Sequence, residues 1–180
     1  DGSEPTTGSS LYTGPIDINE TTALRASMLH PNCLFSEITT STYFINEERN
    51  LPIISLTSDP YNLWDDDYGI YVMGPNASQD YPYFGANFWE DWERPVYVEF
   101  FETSGELGFS LDAGVKIFGG WSRGWSHKSL AIHVRPEYGT SEINYQIFPD
   151  KDIDSFTSIT LRNSGNDWFG SGEGSATMFR

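Results

Sequence analysis

Short apolar runs, alternating or continuous and separated by turn residues, recur along most of the chain. Helical periodicity is nearly absent, because no window places apolar residues at positions i, i+3, i+4 and i+7 without glycine, proline or β-branched residues. Runs of this length and composition are typical of β-strands. The predicted strands are Thr42–Ile45, Ile53–Leu56, Ile70–Met73, Pro95–Glu102, Phe109–Phe118, Lys128–Arg135, Ile143–Phe148 and Thr157–Arg162. The pattern therefore predicts a mainly β fold.

Turn residues join these runs into antiparallel neighbours. Thr103–Gly108 has the composition of a hairpin loop between two long strands, and Pro136–Gly139 indicates a second turn followed by a short strand. Pro60–Trp64 is predicted as a single helical turn, with Asp59 as its N-cap and a proline at its first position. We therefore expect an antiparallel sheet built chiefly from residues 95–162.

The composition indicates a folded domain with an acidic surface. Of the 180 residues, 38% are hydrophobic and 16% are aromatic, which favours a substantial core over a disordered chain. The formal net charge of −16, from 26 acidic against 10 basic residues, repels nucleic-acid phosphates and anionic lipids. We therefore expect neither a nucleic acid nor a membrane surface as a partner.

Cysteine usage and overall composition are typical of a bacterial or archaeal protein outside the cell. Cys33 is the single cysteine, which excludes an intrachain disulfide and a thiolate metal cluster. No run of about 18 apolar residues is present to span a membrane, and Asp1–Pro5 is not a signal peptide. We expect a secreted or extracellular protein, or one on a spore or cell surface, with any export signal upstream.

The composition changes near Glu47–Pro52. The chain before this point is rich in threonine and serine, whereas aromatic residues are dense after it. We therefore predict two domains, residues 1–47 and residues 48–180. Turn residues open the sequence and a glycine-serine loop at 170–175 lies near its end. We expect a fragment of a longer protein, in which the second domain is truncated.

Three stretches of the second predicted domain carry a family likeness. The first contains LPIISLTSDPYNLWD and GIYV, the second WERPVYVEFF and AGVKIFGGWSR, and the third HKSL, RPEYG and LRNSGND. They occupy Leu51–Val72, Trp92–Arg123 and His127–Asp167. In that order and at those spacings they resemble the opening half of CotH-type domains, the spore-coat kinase-like family.

The resemblance implies an atypical protein kinase that uses ATP and a divalent metal such as Mg²⁺ to phosphorylate a protein substrate. It also implies that the antiparallel sheet forms a kinase-like N-terminal lobe. In that family the catalytic and metal-binding acids come from the later half of the domain. We therefore expect no catalytic residue in this chain, and we expect the fragment to bind ATP and Mg²⁺ poorly and to be inactive alone.

Residues 1–45 resemble a different module. Gly2–Thr6, Leu11–Ile16 and Thr21–Ala26 are similar to the end of a small β-sandwich repeat of the chitobiase/hexosaminidase C-terminal type. Such repeats occur beside glycosidases and other extracellular carbohydrate-related domains. The resemblance implies a partial β-sandwich segment at the N-terminus, whose first strands would lie upstream.

The segment Gly119–Ser129, GGWSRGWSHKS, is the candidate nucleotide site. Glycines allow a ligand to approach the backbone closely, and hydroxyls and amides can meet phosphate oxygens. Ser122 supplies a hydroxyl, Arg123 a planar fork and Lys128 a point charge, so we predict that these residues contact phosphates. The alternative is a hairpin whose cations pair with surface carboxylates, since the G-x-G-x-x-G of ordinary kinases is absent. Lys116, on the preceding strand, is expected to face solvent.

Tyr81–Trp92 is dense in aromatic rings. Aromatic faces can bind sugar rings, which makes Trp89 and Trp92 candidates for glycan binding, and packing in the core is the alternative. A non-enzymatic extracellular module is therefore the second functional hypothesis. Such a module would bind polysaccharide or self-associate through open sheet edges.

Other chemistries lack a convincing motif. His30, His127 and His133 have no metal-ligand spacing. Asp65–Gly69 opens like a calcium loop, but Asn76 stands where the bidentate glutamate belongs, so we expect a solvated turn. No G-x-S-x-G elbow of a serine hydrolase occurs. We therefore predict no metal site.

Overall fold

The computed structural model describes residues 2–30 and 34–163, which form a mainly β structure. The strands are β1 Thr22–Ala26, β2 Thr39–Tyr43, β3 Ile53–Thr57, β4 Arg94–Phe101, β5 Leu107–Phe118, β6 Ser129–His133, β7 Ile143–Asn144, β8 Ser155–Phe156 and β9 Ser158–Leu161. The helical elements are α1 Pro60–Trp64 and the short 3₁₀ turns Asn87–Trp89, Trp121–Gly124 and Pro136–Tyr138. The predicted mainly β class is confirmed. Cys33 and the glycine-serine loop at 170–175 lie outside the described residues.

The strands form antiparallel sheets. One sheet has five strands in the order β3–β4–β5–β6–β9, while β1 with β2 and β7 with β8 form two-stranded sheets. The register pairs Ile53 with Phe101 between β3 and β4, and Leu130 with Leu161 between β6 and β9. The predicted antiparallel arrangement is confirmed, and from β3 to β6 strands that are consecutive in sequence are neighbours in the five-stranded sheet.

The chain forms two compact units. The first unit combines the residues up to Pro60 with Val96–Leu111, and the second combines Tyr61–Pro95 with the residues from Asp112 onward. Because each unit uses segments that are distant in sequence, no single cut in the chain separates the two. The predicted domain boundary after residue 47 stays a prediction.

A buried carboxylate organises the polar contacts of the first unit. Glu99, on β4, is 3% exposed. Its Oε1 accepts the N–H of Thr42 at 3.2 Å, and its Oε2 accepts the Thr42 hydroxyl at 2.5 Å. The Thr42 hydroxyl also lies 2.7 Å from Oγ of Ser55. Because a buried carboxylate is costly unless it accepts hydrogen bonds, these contacts fix β2 against β3 and β4.

The core of the second unit follows the alternation of β5 and β6. Val115 and Ile117 on β5 and Ile132 on β6 are all at most 2% exposed. Val115 pairs directly with Ile132, so the buried faces of the two strands coincide. Phe88, from the loop before β4, is also buried. The strand that leads into the candidate site is therefore held by apolar packing.

The prediction of a strand at Ile70–Met73 is wrong. This segment is a turn whose N–H groups bond to carbonyls of α1, Ile70 to Asn62 at 3.1 Å and Tyr71 to Leu63 at 3.0 Å. Ile70 is nevertheless 1% exposed. Because carbonyls of α1 accept the main-chain N–H groups, Ile70 is buried without a strand partner.

The predicted strand Ile143–Phe148 is much shorter than expected. Only its first two residues pair, with β8. The chain turns directly afterwards, since the N–H of Ile147 donates to Tyr145 O at 3.0 Å and Gln146 Nε2 donates to Lys151 O at 2.8 Å. These local bonds replace the ladder that an extended strand would need.

The predicted turns and the helical turn are confirmed. The loop between β4 and β5 closes through the N–H of Glu102, which donates to Glu106 O at 2.9 Å, with Gly105 in the left-handed region. Pro136–Tyr138 is a 3₁₀ turn, and α1 occupies the predicted residues. Asp59, predicted as the N-cap of α1, accepts the N–H of Glu4 at 3.1 Å.

Glu93 joins three segments of the second unit. Nε and Nη2 of Arg135 each donate to its carboxylate at 3.1 Å, and the Tyr138 hydroxyl donates to Oε1 at 3.1 Å. Gly114 on β5 lies against the same side chain, because a Cβ at that position would be 2.2 Å from Glu93 Oε1. Burial and then the hydrogen bond to Glu93 raise the pKa of Tyr138 to about 12.

We expect Gly114→Ala to lower the free energy of unfolding by about 1–3 kcal/mol, as overpacking does in a filled site. The added methyl group displaces the Glu93 carboxylate and breaks its contacts with Arg135. Gly14→Ala is the control, because a Cβ at Gly14 meets nothing within 4 Å. Urea unfolding of both variants checks the prediction, and a Gly114→Ala variant as stable as the control would contradict it.

The raised pKa of Tyr138 makes stability depend on alkaline pH. The folded-state pKa of about 12 exceeds the ordinary value of 10.0, so the unfolded chain ionises first as the pH rises. The contribution of Tyr138 to stability is therefore complete below pH 10 and is lost progressively between pH 10 and 12. We expect Tyr138→Phe to reduce the slope of stability against pH in that window. Denaturant unfolding at a series of fixed pH values measures the slope, and an identical slope in the variant would refute the raised pKa.

Candidate functional site

The connection between β5 and β6 carries the predicted nucleotide-binding residues. Phe118 pairs with Ser129 at the ends of the two strands, so residues 119–128 form the loop between them. The centre of the loop is the 3₁₀ turn Trp121–Gly124. Gly119 enters it at φ +113°, a conformation that strains residues with a side chain. The glycines of this loop are therefore needed for its shape.

Arg123 is anchored by backbone carbonyls. Its Nε donates to Gly119 O at 2.7 Å, and its Nη1 lies 3.4 Å from Phe88 O and 3.3 Å from Trp89 O. The guanidinium carbon is 5.8 Å from the centroid of the Trp89 ring. Within the described part of the chain, Nη2 has no hydrogen-bond acceptor. Nε and Nη1 are therefore used by internal bonds, and Nη2 is the guanidinium nitrogen left for a ligand.

Lys128 is buried and bonds to two backbone carbonyls of the turn. The residue is 9% exposed, and its Nζ donates to Arg123 O at 2.8 Å and to Trp125 O at 2.7 Å. Nζ also lies 3.9 Å from the centroid of the Phe88 ring and 5.3 Å from that of Tyr71. The ammonium could reach a phosphate only by giving up these carbonyls. Its predicted phosphate contact stays a prediction, and in this conformation it holds the turn together.

Ser122 and Gly120 complete the outer side of the turn. Ser122 Oγ lies next to Gly119, where an added Cβ would be 2.7 Å from it. A Cβ at Gly120 would meet nothing within 4 Å, so there is open space above the backbone. The structure therefore brings together a hydroxyl, one guanidinium edge and an open glycine. A phosphate group can be bound by such a set.

Three exposed rings in the second unit form what we name the aromatic surface, Tyr81, Phe84 and Trp121. Their exposed fractions are 46%, 53% and 63%. The centroid of the Trp121 ring lies 6.0 Å from that of Tyr81 and 6.4 Å from that of Phe84. Large apolar groups exposed together in this way mark a candidate contact surface.

The two predicted glycan-binding tryptophans are placed differently. Trp89 is half-buried behind the aromatic surface, with its ring 4.8 Å from Phe84 and its Nε1 donating to Pro82 O at 2.7 Å. Trp92 is also half-buried, and the guanidinium of Arg94 lies 4.9 Å from its ring. Trp89 supports exposed rings, whereas Trp92 stacks with a buried arginine.

Sequence patterns did not identify Trp121, which the loop between β5 and β6 contributes to the aromatic surface. Its carbonyl accepts the hydroxyl of Tyr81 at 2.9 Å, across 40 residues of sequence. The aromatic density of Tyr81–Trp92 drew attention to one loop, but nothing local signals that a second loop completes the surface.

Lys116, expected to face solvent, instead pairs with Asp91. Its side chain is 20% exposed, whereas that of Asp91 is 85% exposed. The Lys116 ammonium, which donates a hydrogen bond to Asp91, lowers the pKa of that carboxyl below its usual value. An ion pair so open to water contributes little to stability.

The carboxylate of Asp65, directly after α1, accepts hydrogen bonds from main-chain N–H groups. Asp65 Oδ1 accepts the N–H groups of Asp67 at 3.0 Å and Tyr68 at 2.9 Å, in the turn that was predicted there. Within residues 2–30 and 34–163, no group of three or more His, Cys, Asp or Glu side chains is placed to hold a metal ion. No helix in those same ranges is both long enough and apolar enough to cross a membrane.

Comparison with known proteins gives a match for the N-terminal segment. Residues 1–43 match the family model described as Fn3 associated. The match ends at Tyr43, the last residue of β2, and covers less than half of the chain. No curated protein and no solved structure matches the chain significantly. The resemblance of the following residues to CotH-type domains therefore stays a prediction.

We expect Lys128→Ala to lower the free energy of unfolding by about 1–3 kcal/mol, because it leaves the carbonyls of Arg123 and Trp125 without their donor. Lys151→Ala, which removes a side chain that is 59% exposed, is the control and should change it by less than about 0.5 kcal/mol. Urea unfolding measures both. Equal effects of the two substitutions would show that the buried ammonium does not stabilise the turn.

Proposed function

We propose that this chain is the nucleotide-binding part of a CotH-type atypical protein kinase that acts outside the cell or at a spore or cell surface. Two features support the proposal, the sequence motifs between Leu51 and Asp167 and the five-stranded antiparallel sheet. The observation that carries it is the turn between β5 and β6. There Arg123 and Lys128 are held together, with Nζ of the lysine 2.8 Å from the carbonyl oxygen of the arginine.

In this proposal the two cations have different roles. Arg123 presents Nη2 to a phosphate oxygen, and Ser122 donates its hydroxyl to a second oxygen. Gly120 leaves space for the phosphate beside the backbone. Lys128 positions the turn through the carbonyls of Arg123 and Trp125. Arg123 is therefore the residue whose loss is felt most directly by a bound phosphate.

The resemblance also implies a divalent metal, which would neutralise charge on the ATP phosphates. The turn offers donors to a phosphate in Arg123 and Ser122, and the same guanidinium also acts electrostatically on the exposed carboxylate of Asp91. The described residues do not fit a metal in the same way, since no three acidic or imidazole side chains converge among them. We therefore assign phosphate contacts to the turn, and no metal ligand among residues 2–30 and 34–163.

We expect Arg123→Ala to weaken ATP binding by about tenfold or more, because a hydrogen bond to a charged group is worth about 1.5–3 kcal/mol and 1.4 kcal/mol is tenfold. Adenosine lacks phosphates, so its affinity should not change. Equilibrium dialysis with Mg²⁺ measures both ligands, on a protein that contains this chain and continues past Arg180 into the rest of the domain.

Arg49→Ala is the charge-matched control. It removes the same charge from an exposed side chain of the first unit, whose guanidinium lies 5.7 Å from the Phe44 ring centroid. If both variants lose the same ATP affinity, the effect is only one of net charge. If Arg123→Ala binds ATP as well as the wild type does, the proposed site is wrong.

A further inference from the structure

We propose that the aromatic surface of Tyr81, Phe84 and Trp121 binds a neutral polysaccharide. The proposal concerns a ligand other than the nucleotide, and its three rings are not among the side chains proposed for phosphate, although Ser122 adjoins both sites. It also differs from the expectation at Trp89 and Trp92, which are half-buried. The exposed rings, their fixed positions and the charge around them each point to this class of ligand.

Contacts within the protein orient two of the three rings, Tyr81 and Phe84. The hydroxyl of Tyr81 donates to Trp121 O at 2.9 Å and accepts the indole N–H of Trp125 at 3.0 Å. Phe84 rests on Trp89, whose own indole N–H is bonded to a backbone carbonyl. Ordering side chains at an interface opposes binding, so the Tyr81 ring, already held by two hydrogen bonds, saves part of that cost. A surface built only of loosely exposed rings would not have these bonds.

The arrangement of the rings suits a puckered ligand better than a flat one. The Phe84 ring is at 88° to the Trp121 ring, and the Tyr81 ring is at 65° to it. The three rings therefore present differently inclined apolar surfaces. A pyranose is a chair whose C–H groups form an apolar face and whose hydroxyls project from its edges. The C–H face can lie on Trp121 while the flanking rings contact neighbouring sugar units.

Polar groups next to the rings in sequence are suited to sugar hydroxyls. Asp80 directly precedes Tyr81 and is exposed, and Ser122 directly follows Trp121 and is half-exposed. A carboxylate accepts hydrogen bonds from hydroxyls, and a serine hydroxyl can both donate and accept. Each hydroxyl of a polysaccharide can donate and accept hydrogen bonds, and the C–H faces of its sugar rings are apolar. Apolar protein rings with these polar groups beside them therefore match both parts of the ligand.

Charge favours a neutral glycan over the other occupants. The chain carries a formal net charge of −16, and Asp80, Glu90 and Asp91 are exposed near the surface residues in sequence. A long anionic polymer, whether a polysaccharide or a nucleic acid, would bring many negative charges into this field and be repelled, whereas the phosphates of one nucleotide need only the local positive edge of Arg123. A second copy of the chain would bring an equal negative charge to the same place, so self-association through this surface is also disfavoured.

Affinity electrophoresis of the purified protein tests the proposal, in gels that contain hydroxyethylcellulose, mixed-linkage β-glucan or galactomannan, with polygalacturonate as the anionic polymer. We expect retardation by at least one neutral polymer and none by polygalacturonate. Trp121→Ala and Phe84→Ala should each weaken that binding by about tenfold, which corresponds to roughly 1.4 kcal/mol. Trp64→Ala is the control, since Trp64 is a comparably exposed tryptophan, 57%, in the same unit.

The unfolding temperatures of the variants show whether each has folded, and Phe84→Ala provides a second test if Trp121→Ala does not fold. Three outcomes would overturn the proposal. One is the absence of retardation by every neutral polymer, and another is equal loss of binding in Trp64→Ala. The third is a concentration-dependent dimer, measured by sedimentation, that Trp121→Ala abolishes, because the surface would then serve a second copy of the chain.

Discussion

The burial of the Lys128 ammonium is the constraint on which the β5–β6 connection depends. With 9% of the residue exposed, the charge has lost most of its water and must be compensated by protein dipoles and rings. The carbonyls of Arg123 and Trp125 supply the dipoles, and Phe88 supplies a ring face 3.9 Å from Nζ. Both carbonyls must therefore point inward. That requirement selects one conformation of the turn from the many that a glycine-rich loop allows.

The same constraint extends to the aromatic surface through Trp125. Its carbonyl is held by Lys128, while its indole N–H donates to the hydroxyl of Tyr81, which in turn donates to Trp121 O. A continuous series of hydrogen bonds thus runs from a buried charge to two exposed rings. The series orients the Tyr81 ring and the backbone that carries Trp121, and it begins at an ammonium that is largely withdrawn from water. Polar bonds in the interior therefore decide how apolar groups are presented at the surface.

Sequence patterns predicted those parts of the fold in which each strand has two different faces. On β5, Val115 and Ile117 are buried and Lys116 lies between them, so alternation alone identifies the strand. Ile70–Met73 is also an apolar run, but its first two N–H groups bond to carbonyls of α1 and not to a neighbouring strand. Periodicity in the sequence cannot distinguish a strand from such a turn. At the site, composition singled out Arg123 and Lys128. Their carbonyl partners had no local signal, because such bonds depend on how the whole loop is folded.

The two cations of the turn, Lys128 and Arg123, differ in the hydrogen bonds that they can donate to a ligand. A lysine ammonium is a compact charge that carbonyls can surround, so it can be internal without leaving a donor exposed. A guanidinium is a planar fork, so Arg123 can bond to Gly119 O through Nε while Nη2 takes no part in that bond. In a chain with a net charge of −16, this edge is a local positive point beside an open glycine. In the proposed function, a phosphate at the turn would be met by Arg123. The carbonyls of Gly119, Phe88 and Trp89 orient its guanidinium, while Lys128 holds its backbone carbonyl.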